Sequence, residues 1–350
     1  MRGLTRGERY MLVALVAATA FAAVTRYTNV SEVLAFAASG LALAGMAWLV
    51  ALGTEQVGSR LGPAATGMLQ STLGNLPEFF VVLFALQKGE TVVAQTSLIG
   101  SVLANALLVL GLVIVVGARH TEGGVMRFST GLPRDTATLM LLASSIIVIL
   151  GLSLASGDKA SHHVKTISAV GAACILAVYL AWAIPYVRHG GGDVEARPRV
   201  PLPVAAVLLG VSGVGAAFVS DWFITALDPA VKSLGLSKAF AGLVIVAIAG
   251  NAAENATGLV MASKGESELA ISVVKNSVAQ VAAFLYPALV LVSLLFASML
   301  TFVLAPVWIG AIILTAIVLA QVTGDGEATE FEGWALVAIY AIVAVVALYE

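Results

Sequence analysis

The chain has 350 residues, 60% of them hydrophobic and 11% charged, with a mean hydropathy of +1.00. Soluble domains are roughly half apolar and a quarter charged, so the solvent for this much apolar surface is lipid. A formal net charge of −2 leaves no electrostatic footprint for nucleic acid. The single cysteine, Cys174, excludes an internal disulfide and a cysteine metal cluster, and its apolar surroundings read as those of a small buried hydrophobe.

A helix crosses a bilayer with about 20 apolar residues. In chain order such runs fall at 9–25, 30–52, 63–87, 91–117, 135–156, 163–187, 201–226, 237–262, 268–295, 299–320 and 331–350. They predict an all-α polytopic membrane protein of about eleven transmembrane helices. The basic start before the first run imitates a signal peptide, but no small-residue cleavage site and polar mature domain follow. Residues 1–29 therefore read as a retained, extra N-terminal span. The longest polar break runs from Arg188 to Pro201 and carries Gly190, Gly191, Gly192, Asp193, Glu195 and Pro198, the composition of a linker over 188–200. Lys and Arg in the loops are asymmetric. One side holds Arg2, Arg6, Arg9, Arg60, Arg119, Arg127, Arg134, Arg188, Arg197, Arg199 and Lys264; the other holds Arg26, Lys88, Lys159, Lys165, Lys232 and Lys238. The richer side is expected to be cytoplasmic, which places the N-terminus inside and the C-terminus outside. The compact length suits a multi-pass protein of a prokaryotic inner membrane.

The two halves share a pattern at an offset of 176 residues. Gly74, Asn75 and Glu78 recur as Gly250, Asn251 and Glu254. Lys88-Gly89-Glu90 recurs as Lys264-Gly265-Glu266, and Ser101 as Ser277. Small apolar matches are cheap in such a composition, whereas a shared Gly-Asn-x-x-Glu and a shared Lys-Gly-Glu in one register are not. The first copy lies on the third span and the second on the eighth, so the copies cross the membrane in opposite directions. Residues 30–187 and 201–350 then form two inverted five-helix repeats. This is an architecture of secondary transporters, whose site lies at the midplane between repeats.

Glu78 and Glu254 lie deep in apolar spans, where a carboxylate is costly. A lone intramembrane Glu is accounted for by a proton and a hydrogen bond to a neighbouring helix; two in matching motifs point to a site. Residues three or four apart share a helix face, so Asn75 points with Glu78, and Asn251 with Glu254 and Asn255. Pro77 has no N–H, which deprives the Leu73 carbonyl of its helical partner and offers another oxygen. Carboxylate, amide, hydroxyl and carbonyl oxygens suit a hard cation such as calcium. Zinc or copper would want His or Cys, and the only adjacent histidines, His162 and His163, read as solvated loop residues. Ser97, Ser101 and Asn105 make a polar stripe on the fourth span. Ser272, Asn276 and Gln280, with Ser277 beside them, do so on the ninth. Small polar residues also serve ordinary helix packing.

At these residues the chain resembles the calcium/proton exchanger family of the cation/calcium antiporter superfamily. Gly74-Asn75-Leu76-Pro77-Glu78, Phe84-Ala85-Leu86 and Gly100-Ser101-Val102-Leu103 are similar to its first signature. Leu236-Ser237, Gly242-Leu243-Val244-Ile245-Val246 and Gly250-Asn251-Ala252-Ala253-Glu254 are similar to its second, and Ser220-Asp221 to a Ser-Glu pair ahead of it. The resemblance, from about residue 48 onward, implies an eleven-span exchanger with calcium as the transported ion and no cofactor. It implies that Glu78 and Glu254 bind calcium in one state and protons in the other, with Asn75 and Asn251 as supporting ligands. The chain departs from the family pattern at Asn255, where the family has His, at Ala247, where it has Pro, and at Asp193 and Glu195, the remnant of an acidic helix. A fourth departure is Lys275, in place of an apolar residue. Lys275 has two readings: a stem that snorkels to the surface, or an ammonium that approaches Glu254 or Asp221.

Exchange then follows from competition for one site. Two poorly solvated carboxylates that repel each other hold protons until a divalent cation displaces them. Either occupancy leaves the site near neutral, able to change its exposure. A sodium-driven calcium exchanger is the alternative within transport, although its usual Gly-Thr-Ser-x-x-Glu motif is replaced here by Gly-Asn. A membrane-embedded acid/base enzyme lacks a nucleophile motif, a metal-histidine cluster or a phosphate loop in this sequence. A cation channel is a third class. The expected partners are the cation, protons and the bilayer; the sequence does not give an oligomeric state.

Overall fold

The computed structural model describes residues 4–28, 30–58, 60, 63–121, 123–189 and 199–350. The first helix, α1 (Arg6–Tyr27), opens with a capping box in which Thr5 accepts from the Glu8 N–H and the Glu8 carboxylate accepts from the Thr5 N–H at 2.6 Å. It leads to α2 (Glu32–Gly58), then to α3 (Pro63–Gly74) and α4 (Leu76–Gln87), which meet at Asn75. Next come α5 (Thr91–Arg119), a three-residue strand β1 (Val125–Arg127), α6 (Gly131–Ser156) and α7 (Lys159–Arg188). The second half holds α8 (Leu202–Leu234), the bent pair α9 (Lys238–Gly250) and α10 (Ala252–Ser263), and α11 (Ser267–Leu295). It ends with α12 (Pro306–Thr323), β2 (Glu327–Thr329) and α13 (Glu330–Tyr349).

Among the described residues ten helices are long and apolar enough to cross a membrane, and eleven when α9 and α10 are taken as one bent span. The expected count therefore holds. Two apolar runs that read as single spans are interrupted within the membrane. Asn75 has φ −81° and ψ 3°, and Asn251 has φ −104° and ψ 11°; α9 and α10 are bent by 61°.

Two expectations are corrected. The tenth span begins at Pro306 rather than at residue 299. Residues 298–305 are not helical, yet Leu300, Phe302 and Leu304 are buried, so their apolar character marks a packed loop. Beside the all-α architecture, two three-residue strands, β1 and β2, pair antiparallel with Met126 opposite Ala328; three residues are too few for a legible alternation. Cys174 is exposed on α7 rather than buried, because an apolar span does not reveal which of its faces meets protein and which meets lipid. Residues 190–198 of the expected linker, with Asp193 and Glu195, lie outside the described residues.

Packing gathers the helices into two groups, which meet where α3 and α10 lie against α2 and α4 lies against α8. α2 lies along α8, with α1 against both. Gly53 lets the α8 backbone approach, since a Cβ there would stand 3.2 Å from the Leu209 backbone, and Phe36 stacks on Phe223 at 4.7 Å. The other helices surround α5, whose side chains are almost all buried between Val93 and Ala118. α5 crosses α13 closely, since a Cβ on Gly111 would lie 2.6 Å from the Gly333 carbonyl oxygen.

Candidate cation site

The two helix breaks face each other. Each ends one helix at a glycine, leaves an asparagine outside helical geometry and starts the next helix with a glutamate in its first turn: Gly74-Asn75-Glu78 and Gly250-Asn251-Glu254. The free N–H groups of a first helical turn favour negative charge, so each break offers its own glutamate a favourable place. Pro77 occupies the first turn of α4, where a missing N–H costs nothing. Leu73 lies in the last turn of α3.

The halves interlock across this centre. Asn251 Nδ2 donates to Ser101 Oγ at 2.9 Å, and Asn105 Nδ2 donates to Ser277 Oγ at 2.9 Å. Each bond joins one half to the other, and each leaves the serine O–H to donate elsewhere. Ser101 and Asn251 face the Glu78 carboxylate, Ser277 faces that of Glu254, and the two carboxylates are near enough to interact. Gly74 lies against Glu254 and Gly250 against Glu78. Ser101 and Ser277 sit just before π-helical turns at Ala104–Val109 and Val281–Leu285, equivalent positions in the two halves. A π turn widens the helix and often marks a functional site.

Glu78 is 1% exposed, and all four oxygens of Glu78 and Glu254 are buried without a hydrogen bond of acceptable geometry. Asn276 Oδ1 and Gln280 Oε1 are in the same condition. All six are acceptors. Buried acceptors without donors are rare in folded proteins, and a cation or protons would complete them. Among the described residues no group of three or more His, Cys, Asp and Glu could hold a metal ion, so the oxygen set is two carboxylates supplemented by neutral amides and hydroxyls.

Most of the residues singled out from sequence converge here. Glu78, Glu254, Asn75, Asn251, Ser101, Ser277 and Asn105 share the centre, and Asn75 and Asn251 are buried. Gln280 is displaced toward α3, where its Nε2 donates to Met68 Sδ at 3.0 Å and to the Met68 carbonyl at 3.3 Å. Asn255 is partly exposed beside Glu254. Met68, which also accepts from the Tyr179 hydroxyl at 3.1 Å, was invisible as a polar contact in the sequence; a thioether in an apolar run carries no such signal.

Both readings of Lys275 are corrected. Its side chain is wholly buried, so it does not snorkel. No carboxylate lies within ion-pair distance among the described residues, and Asp221 pairs instead with Lys88 at 2.6 Å. Lys275 Nζ donates to Thr323 Oγ1 at 2.9 Å, on the last residue of α12. The C-terminal end of a helix dipole favours a cation, and α12 has no basic residue of its own in that turn. A sequence does not say which neighbouring helix ends beside a given side chain.

The chain matches the Sodium/calcium exchanger protein family over residues 31–184 and again over 204–349. It belongs to that family. Among the exchanger's relatives, the Ca(2+)/H(+) antiporter of Synechocystis sp. is 28% identical over 97% of this chain and 97% of its own length. Ca(2+)/H(+) antiporter ChaA of Bacillus subtilis is 29% identical over 83% of this chain and 85% of its own. Vacuolar cation/proton exchanger 1a of Oryza sativa subsp. japonica is 30% identical over 89% and 74%. The solved structure of native YfkE superposes with a TM-score of 0.82 at 26% identity, covering 97% of this chain and all of that one. The H+/Ca2+ exchanger CAX, at 14% identity and a TM-score of 0.79, shares the fold.

Proposed function

We propose that this protein is a secondary transporter that exchanges calcium, or a closely related hard cation, for protons by alternating access. The observation that carries the reading is the set of four buried, undonated oxygens on Glu78 and Glu254, one glutamate from each half, facing across two helix breaks. Relatives named as calcium/proton antiporters support the choice of ions.

In this reading Glu78 and Glu254 hold the cation, with Ser101, Ser277, Asn75 and Asn251 supplying neutral oxygens and Asn105 orienting Ser277. A divalent ion against two carboxylates, or one proton on each, leaves the centre without net charge, and the neutral forms change exposure. The serine hydroxyls accept from asparagine in either state and can donate to a carboxylate when the cation is absent. Residues 30–187 and 201–350 are the two inverted repeats, residues 1–29 the extra span, and the region around 188–200 the linker. The arginine-rich face is cytoplasmic, with the N-terminus inside and the C-terminus outside, in the cell membrane.

The deciding experiment uses purified protein in liposomes. Calcium added to one side should drive proton movement the other way, and an imposed proton gradient should drive calcium uphill. Calcium flux that ignores the proton gradient would indicate a channel. Uphill flux that requires sodium instead would indicate sodium-driven exchange.

A further inference from the structure

Both halves carry Lys-Gly-Glu directly after the site helix. Lys88-Gly89-Glu90 follows α4, and Lys264-Gly265-Glu266 follows α10. The turns have the same backbone, with Gly89 at φ 76° and Gly265 at φ 77°, a conformation that favours glycine. What they hold differs. Lys88 Nζ lies 2.6 Å from Asp221 Oδ1 and donates also to the Asp221 carbonyl and to Thr225, all on α8. Glu90 accepts from Lys238 Nζ at 2.7 Å, and that ammonium lies 2.8 Å from Asp228 Oδ1, again on α8. Lys264 and Glu266 are exposed and make no ion pair among the described residues.

The ion pairs at the opposite face stay within one helix set or the other. Arg199 joins Glu8 of α1 at 2.8 Å and Glu55 of α2 at 3.1 Å, while Arg127–Glu327 and Arg119–Glu330 bind the α5 side to β2 and α13. Among the described residues, ion pairs between α1, α2 and α8 and the helices around α5 occur only at the Lys88 face. Identical turns in one chain therefore stand in different states, one engaged and one released.

We propose that the engaged turn is an electrostatic clasp that holds the Lys88 face shut against α8, and that the opposite-facing form releases it. The inference rests on the alternating-access reading above. The pairs bridge α8 to the turn after α4 and to the start of α9, so a form open at the Lys88 face must break them. α2 is the counterpart of α8, but at the 176-residue offset Asp221 and Asp228 correspond to Gly45 and Leu52, so the second turn has no equivalent carboxylates to meet. The pairs are partly exposed, 33% and 36% at Lys88–Asp221, so they are weak enough to break in each cycle and sensitive to salt.

The test measures how fast a charged maleimide labels Ser220→Cys in a Cys174→Ser background, with the protein in lipid nanodiscs. Ser220 is wholly buried beside Asp221, its hydroxyl donating to the Pro77 carbonyl at 3.3 Å, so labelling reports the opening of α8 from α4. Adding Lys88→Gln and Lys238→Gln should speed labelling about tenfold, the combined effect of several weak pairs. Lys88→Asp alone should also speed it, and Lys88→Asp with Asp221→Lys should return it to the starting rate. Unchanged labelling in the double glutamine variant, or a swapped pair that labels as fast as Lys88→Asp alone, would overturn the clasp. Should these variants fail to fold, choline chloride decides on the unaltered turn: faster labelling at high salt supports the clasp, and salt-independent labelling rejects it. Labelling needs no transport, so a failed clasp leaves the exchange reading intact, and failed calcium/proton coupling with salt-dependent labelling would sink the exchange reading alone.

Discussion

Gly74 and Gly250 are equivalent in sequence but not in surroundings, and that difference is measurable. A Cβ on Gly74 would lie 2.5 Å from Glu254 Oε1 and 3.5 Å from its Cδ, whereas the nearest atom to a Cβ on Gly250 is Glu78 Cβ at 3.7 Å. Restoring ordinary contact at 3.4 Å requires Gly74→Ala to push the Glu254 carboxylate by about 0.9 Å. Calcium–oxygen distances occupy a window of about 0.3 Å, and a misplacement of about 1 Å costs on the order of a hundredfold where geometry is critical. The obstructing atom ends a flexible side chain, so the fold survives, and Ala in place of Gly at a helix end favours helix by up to about 1 kcal/mol. Gly74→Ala should therefore weaken half-saturation for calcium by about ten- to a hundredfold with unchanged or higher thermal stability. Gly250→Ala should stay within about twofold. The assay is calcium-dependent proton release in liposomes across a range of calcium concentrations, with melting followed in detergent. Equal loss in the two variants, or normal calcium dependence in Gly74→Ala, would refute the facing arrangement of the breaks.

Three further outcomes follow from the same geometry. Glu78→Gln and Glu254→Gln should each reduce proton-coupled calcium flux by at least about a hundredfold while the purified protein still melts cooperatively; normal exchange in either would remove the glutamates from the site. Asn255→His places a group that titrates near neutral pH beside Glu254, so the variant's transport profile should gain a titration step between about pH 5 and 8, which superimposable profiles would contradict. Lys275→Met removes a buried amino group that has no carboxylate within ion-pair distance among the described residues. It should leave calcium half-saturation within about twofold and raise the melting temperature, and a large change in calcium affinity would return Lys275 to the cation site.

Much of this protein was legible in its sequence because lipid simplifies the physics. A membrane forces apolar runs of helical length, so the spans and their number followed from hydropathy, and an expensive carboxylate at depth advertised Glu78 and Glu254 without any structure. The repeat at a fixed offset gave the opposed directions of the two motif spans, since parity along a chain that crosses a membrane fixes direction. The breaks were not legible as breaks: Gly74, Asn75 and Pro77 hinted at a loosened helix, but both apolar runs read as single spans. Long-range pairing was another matter. That Asn251 reaches Ser101 and Asn105 reaches Ser277, that Gln280 turns to Met68, that Lys275 ends at the terminus of α12 and that Asp221 belongs to Lys88 depend on how helices far apart in the chain are placed side by side. Hydropathy is nearly uniform around these spans, so the lipid face of α7, with Cys174, was no more visible than the buried face of α11. The different states of the two Lys-Gly-Glu turns were least visible of all. The tertiary structure sets Asp221 and Asp228 of α8 about the first turn, whereas Gly45 and Leu52 of α2 stand at the equivalent positions, and the three residues of a turn do not record what it meets.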